Sequence, residues 1–125
     1  MKNFINIADD FKKAAEKQLG EAVSAAHGDL IKYSPVLTGR FRKSWLHSNE
    51  DTKAVAPEGN YPEPTPVAAA EIKIDAEHRL INNLHYATEL CLEGKSKKAA
   101  YDWFTSIGQK WQAGGYLKQS EQRDD

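Results

Sequence analysis

The chain has 125 residues, 40% of them hydrophobic and 28% charged, which is the profile of one ordinary globular domain able to bury roughly two-thirds of its unfolded surface. Its formal charge of -1 excludes a surface that neutralises phosphate throughout and leaves only local basic patches for that work. No run of about 20 apolar residues could span a bilayer, and residues 1–5 lack the apolar core and cleavage site of a secretory signal, so the expectation is a protein made in the cytoplasm with no membrane partner.

Phe4, Ala8, Phe11, Ala15, Leu19, Ala22, Ala26 and Leu30 recur at steps of three and four, with Asp9, Lys12, Lys13, Glu16, Lys17 and Glu21 on the opposite side. This spacing predicts one amphipathic helix from about residue 4 to 32. Its length would be roughly 43 Å at 1.5 Å per residue. A compact domain of this size is only about 36 Å across, so the helix must overhang the domain or meet a neighbour. Gly20 and Gly28 each cost roughly 1 kcal/mol relative to Ala inside a helix. A bend near Gly28 is therefore the alternative, and small residues there would also admit a close-packed strand.

Ser34-Pro35 ends the helix, because the residue before a proline is pushed out of the helical region and the ring has no N–H to donate. Thr38 as a cap and Gly39 with a positive φ predict a short helical turn carrying Leu37, Phe41 and Trp45 into the core. On that turn Arg40, Arg42 and Lys43 are either the solvated side of a capped turn or a patch for an acidic partner surface or DNA phosphates. From Ser44 the alternation of Trp45 and His47 predicts a strand. Residues 49–66, with Pro57, Pro62, Pro64 and Pro66 beside Gly59 and Asn60, read as an extended arm. Tyr61 is its single aromatic and would anchor it on another subunit, the alternative being an arm that is mobile in the free protein.

Ala70, Ile72 and Ile74 alternate with Glu71, Lys73 and Asp75, then Asp75-Ala76-Glu77 turns and residues 79–82 continue extended, which predicts a β-hairpin with one wet face. Asn82-Asn83 stops the strand. Residues 86–93 have helical spacing through Tyr86, Leu90 and Cys91, closed by Gly94. Cys91, the one cysteine, has no partner for an intrachain disulfide and reads as a small buried apolar residue. A last helix over 96–112 carries Ala100, Trp103, Phe104, Ile107 and Trp111 as a core stripe, Gly114-Gly115 ends it, and 114–125 is a polar tail beyond a single domain of residues 1–113.

Two stretches carry more than secondary structure. The first is Pro35, Thr38, Gly39, Arg40, Phe41, Arg42 and Ser44, a Thr-Gly-basic-apolar-basic-x-Ser run just after a long helix. The second is Asn82, Asn83, Tyr86, Ala87, Leu92, Glu93 and Gly94. In order and spacing the pair resembles the tail-completion or minor tail components of tailed double-stranded-DNA bacteriophages, over most of residues 4–113. The chain departs from that pattern after Ser96, where many relatives carry a proline-containing segment and this one has Lys97-Lys98-Ala99-Ala100-Tyr101-Asp102-Trp103-Phe104. The resemblance implies a virion protein of the head-tail neck or the head-proximal end of the tail, such as a tail-completion, tail-terminator or head-tail connector component. It also implies a ring of copies, with a hexamer the expectation, meeting connector or head-closure proteins on one face and tail tube or tail terminator subunits on the other. DNA would pass through the channel without sequence-specific binding. The interface residues expected on this basis are Thr38, Gly39, Arg40, Arg42, Lys43, Tyr61, Tyr86, Glu93 and Gly94.

Catalytic patterns are weak by comparison. Gly94-Lys95-Ser96 echoes the end of a phosphate-binding loop, but the glycine such a loop needs five residues earlier is Glu89. His27, His47, His78 and His85 have no short metal-ligand spacing, and each reads as a surface or hydrogen-bonded histidine. Ser44, Ser48 and Ser106 lack a nucleophile elbow, and no recognisable motif pairs two carboxylates. No enzyme activity, cofactor or metal is expected. The sequence predicts an α+β domain in which a long N-terminal helix packs on an antiparallel sheet of three or four strands with a C-terminal helix closing the core. A small nucleic-acid-binding regulator using Arg40, Arg42, Lys43, Lys95, Lys97 and Lys98 is the rival class, and a soluble enzyme with an unfamiliar site is another.

Overall fold

The structure is a computed structural model that describes residues 4–36, 39–48, 50, 52–54, 56, 64–92 and 102–117, with side chains from Ala8 onward. The chain is α+β, and its element order is α1 (Phe4–Tyr33), α2 (Arg40–Lys43), β1 (Leu46–Ser48), a 3-10 turn (Ala69–Glu71), β2 (Arg79–Ile81), α3 (Ala87–Cys91) and α4 (Trp103–Gln112). α1 runs unbroken through 30 residues, Gly20 and Gly28 included.

Two clusters make the core. In the larger, Leu30 and Ile31 of α1, Phe41, Trp45, Leu84, Leu90, Cys91 and Trp103 are buried together. Its centre is a triangle of rings: Phe41, Trp45 and Trp103 meet edge to face with centroids 5.8, 6.1 and 6.4 Å apart. This arrangement sets the positive edge of one ring against the negative face of the next. Both buried indole N–H groups are satisfied, Trp45 donating to the Ser34 hydroxyl at 2.7 Å and Trp103 to the Leu90 carbonyl at 2.9 Å. The smaller cluster joins Ala22 and Ala26 to Tyr116, with Leu80 of β2 and Ile107 of α4 packed against it. Cys91 is buried, and burial pushes its thiol up to about 12, leaving it protonated and inert at neutral pH.

The sheet is smaller than predicted. Among the described residues it has two strands, antiparallel, pairing Leu46 with Ile81, His47 with Leu80 and Ser48 with Arg79. The hairpin predicted within 70–82 does not form, because the segment before its turn is otherwise engaged. Ala69–Glu71 is a 3-10 turn laid on α1 at Gly20, where an added Cβ would lie 2.4 Å from the Ala69 carbonyl oxygen. Only a glycine admits so close an approach. Ile72 is then sealed in, 1% exposed, and β2 pairs with β1 instead.

The last turn corrects the predicted tail. Gly114, at φ 77°, donates to the Trp111 carbonyl and Gly115 to the Lys110 carbonyl at 3.0 and 2.8 Å, the paired bonds of a Schellman ending. The chain doubles back, and Tyr116 is buried where the sequence predicted only polar tail. Within the predicted stripe Trp103, Phe104 and Ile107 pack into the core, whereas Trp111 stays 43% exposed. The predicted arm from 57 to 63, the helix start at 96 and the tail from 118 lie outside the described residues. No helix among the described residues is long and apolar enough to cross a membrane.

Candidate functional site

The basic turn of α2 is where the two sequence stretches meet. Its N-cap is Gly39, at the predicted positive φ, 92°, in the left-handed region; the predicted Thr38 cap lies outside the described residues. A residue with a Cβ adopts that conformation only at a cost. The sharp turn drives Phe41 inward and aims the flanking arginines at main chain. Nε of Arg42 donates to the Ile31 carbonyl at 2.9 Å and Nε of Arg40 to the Ala56 carbonyl at 2.8 Å. Ile31 lies in the last turn of α1, where carbonyls have no helical partner and a cation also complements the helix dipole. Ser34 supplies a second cap one residue earlier by donating its hydroxyl to the Leu30 carbonyl.

Ser44, 1% exposed, continues the brace. Its hydroxyl donates to the Arg40 carbonyl at 2.7 Å and accepts the Ala56 N–H at 3.0 Å. The second stretch locks onto the first through Asn82, whose side-chain amide donates to the Phe41 carbonyl at 2.8 Å while its oxygen accepts the Leu84 N–H at 3.2 Å. Asn83 donates to the carbonyls of Thr52 and Ala54 at 2.8 and 3.3 Å. Tyr86 lays its ring 6.2 Å from that of Phe41. Gly39, Arg40, Arg42 and Tyr86 are thus brought into one unit, with Lys43 half-buried at the end of α2. Thr38, Tyr61, Glu93 and Gly94, also predicted interface residues, lie outside the described residues.

His27, His47 and His78 are hydrogen-bonded, as expected, to partners the sequence did not name. His27 is 4% exposed on α1; its Nδ1 accepts the Val67 N–H at 2.9 Å and its Nε2 donates to the Trp45 carbonyl at 3.3 Å. That pattern fixes the neutral Nε2–H tautomer, and burial holds its pKa below the usual imidazole value. His47 and His78 face each other across the β ribbon with nitrogens 2.8 Å apart. Four histidines scattered over 59 positions give no local signal of this. Also missed was Tyr116, whose hydroxyl donates to the Asp29 carboxylate at 2.6 Å. Burial, reinforced by that carboxylate, raises the pKa of the phenol.

No group of three or more metal-ligating side chains is assembled among the described residues. Every buried side-chain nitrogen and oxygen among them has a hydrogen-bond partner. The polar groups around α2 therefore hold chain segments to one another, an arrangement suited to fixing a surface in shape. No family model matches the chain, and no curated protein and no solved structure matches it.

Proposed function

We propose that this chain is a non-enzymatic structural subunit of a tailed-bacteriophage particle, one copy of a sixfold ring at the head-tail neck or the head-proximal end of the tail. It would serve there as a tail-completion, tail-terminator or connector component around passing DNA. The observation that carries this is the first half of α1. Residues 8–15 are all exposed, and Phe11, on the apolar stripe, is 73% exposed. A helix whose amphipathic pattern runs past the domain it packs on offers that stretch to another surface, and a head-to-tail contact of this kind closes into a ring when the rotation permits. The bracing of Gly39, Arg40, Arg42, Asn82 and Tyr86 into one unit adds support, since the residues behind the phage resemblance then serve one structural purpose.

The nucleic-acid-binding reading draws less support. A phosphate-seeking arginine works best with its fork presented to solvent, whereas the Nε groups of Arg40 and Arg42 both donate to main-chain carbonyls. Light scattering on the eluting chain, with negative-stain images of the same fractions, tests the proposal. A closed ring of six copies is the expected result. A monomer at every concentration, together with absence of the chain from purified particles, would overturn it, and specific DNA binding that weakens steeply with salt would favour the rival.

A further inference from the structure

His47 on β1 and His78 on the turn leading into β2 share one hydrogen-bonding contact, Nε2 of His47 lying 2.8 Å from Nδ1 of His78. Their planes are within 25° and their centroids 5.0 Å apart, and because the facing nitrogens are so close the rings meet edge to edge around a single proton. The other nitrogen of His78 points at its own turn, 2.7 Å from the Lys73 carbonyl oxygen and 3.1 Å from the Lys73 amide nitrogen. The same turn is tied to α1, where the Ile74 N–H donates to Glu16 at 2.9 Å and Lys12 sits 3.6 Å from Asp75.

Proton counting decides what this arrangement tolerates. In the neutral pair one ring donates and the other accepts. One added proton also fits the facing contact, since a His78 imidazolium donates from Nδ1 to His47 and from Nε2 to the Lys73 carbonyl, at the loss of the Lys73 N–H bond to that nitrogen. A second does not, because both facing nitrogens would then carry hydrogen and two like charges would stand in contact. The charged and titratable neighbours are Glu71 of the 3-10 turn, which favours a protonated His47, and His27 of α1, whose own protonation a charged His47 disfavours. Lys73 flanks His78 within the turn, and Arg79 on β2 pairs with Glu77 at 3.1 Å. Burial and His78 together hold His47 below the ordinary imidazole value.

We infer that His47 and His78 form an acid-operated latch, closed with no added proton or one, which a second added proton opens by releasing residues 73–78 from β1. His78 and Leu80 also line an apolar groove of about 280 Å³ with Trp45, Phe104 and Trp111. Opening the latch withdraws His78 from the wall of that groove and widens it while α1 and the aromatic core remain folded.

Imidazole nitrogen shifts followed by NMR through an acid titration, with amide exchange measured alongside, test the latch. The His47 ring is expected to take up its proton below the ordinary imidazole value, held there by burial and by His78, and that uptake is the second step. With the second step, exchange at Ile74, corrected for its intrinsic pH dependence, should accelerate by ~10-fold or more, and anilinonaphthalene sulfonate fluorescence should rise while far-ultraviolet dichroism holds. His78→Gln keeps an amide donor for the Lys73 carbonyl but cannot titrate, so it should abolish the acceleration; His47→Gln should do the same, and His27→Gln should preserve it. Protonation of His47 at the ordinary imidazole value, exchange unchanged through the second step, an acceleration that survives in both His47→Gln and His78→Gln, or one lost in His27→Gln would each overturn the inference.

Discussion

An alanine at position 20 would bring its Cβ to 2.4 Å from the Ala69 carbonyl oxygen, a backbone atom that cannot swing aside, whereas one at position 108 would meet nothing within 4 Å. Helix propensity alone favours both changes by about 1 kcal/mol, so the sign at each site is decided by the space. Gly20→Ala is expected to destabilise by up to about 2 kcal/mol, since forcing a methyl into packed backbone costs roughly 1–3 kcal/mol against the propensity gain. Gly108→Ala should stabilise by about 0.5–1 kcal/mol, and urea midpoints at unchanged slope would measure both. His27 gives the residue scale a pH dependence. Its folded pKa lies below 6.5 because burial disfavours the charged ring, so above that value neither state is charged and His27 contributes no slope. As pH falls below 6.5 the unfolded chain takes up the proton first, and stability drops by up to ~1.4 kcal/mol per pH unit until the folded ring also protonates. Urea melts between pH 7.5 and 5 should show that loss, and His27→Gln should flatten part of it.

At the scale of elements, the C-terminal end of α4 is held to α1 by Tyr116 more than by charge. The tyrosine packs on Ala22 and Ala26 and donates to Asp29 at 2.6 Å, whereas the Lys110 ammonium stands 3.9 Å from the same carboxylate with half its side chain in water. Exposed pairs of that kind contribute little, although the ammonium also lies 4.3 Å from the centre of the Tyr116 ring. Tyr116→Phe should therefore cost about 1 kcal/mol, the net worth of one hydrogen bond, and Tyr116→Ala about 3 kcal/mol or more from the lost ring; both would be read from thermal and urea unfolding. Tyr116 also shows what the sequence leaves hidden. α1 was legible because a 30-residue element repeats its apolar period many times over, and α4 and the buried Cys91 were legible for related reasons of period and composition. The order of β1 and β2 was not, since three-residue strands carry almost no period and their pairing was decided by Ala69–Glu71 packing into the notch at Gly20, a contact with no local signature. Arg40 and Arg42 read as a surface patch for the same reason: the carbonyls that hold them belong to Ala56 and Ile31, and their distance along the chain hides the brace.

At the scale of the whole molecule, α1 divides into a half that builds the buried core and a half that touches the domain through polar pairs, Lys12 with Asp75 and Glu16 with the Ile74 N–H. From Gly20 to Ile31 it supplies Ala22, Val23, Ala26, His27, Leu30 and Ile31 to the interior, whereas residues 8–15 are exposed on every side. The exposed half keeps the apolar stripe in Phe11 and Ala15, and at 1.5 Å per residue the stretch from 4 to 18 is roughly 22 Å long. That is long enough to lie across a neighbouring copy in a ring. Phe11→Asp then separates assembly from folding. At 73% exposure Phe11 lends the isolated domain little, so unfolding of the variant should stay within about 0.5 kcal/mol of the parent. A charge buried without a partner at a subunit seam costs far more, so light scattering should find the parent as a closed oligomer and the variant as a monomer at the same concentration. If the variant assembled as the parent does, the seam would lie away from the overhang, and the feature chosen to carry the ring proposal would no longer support it.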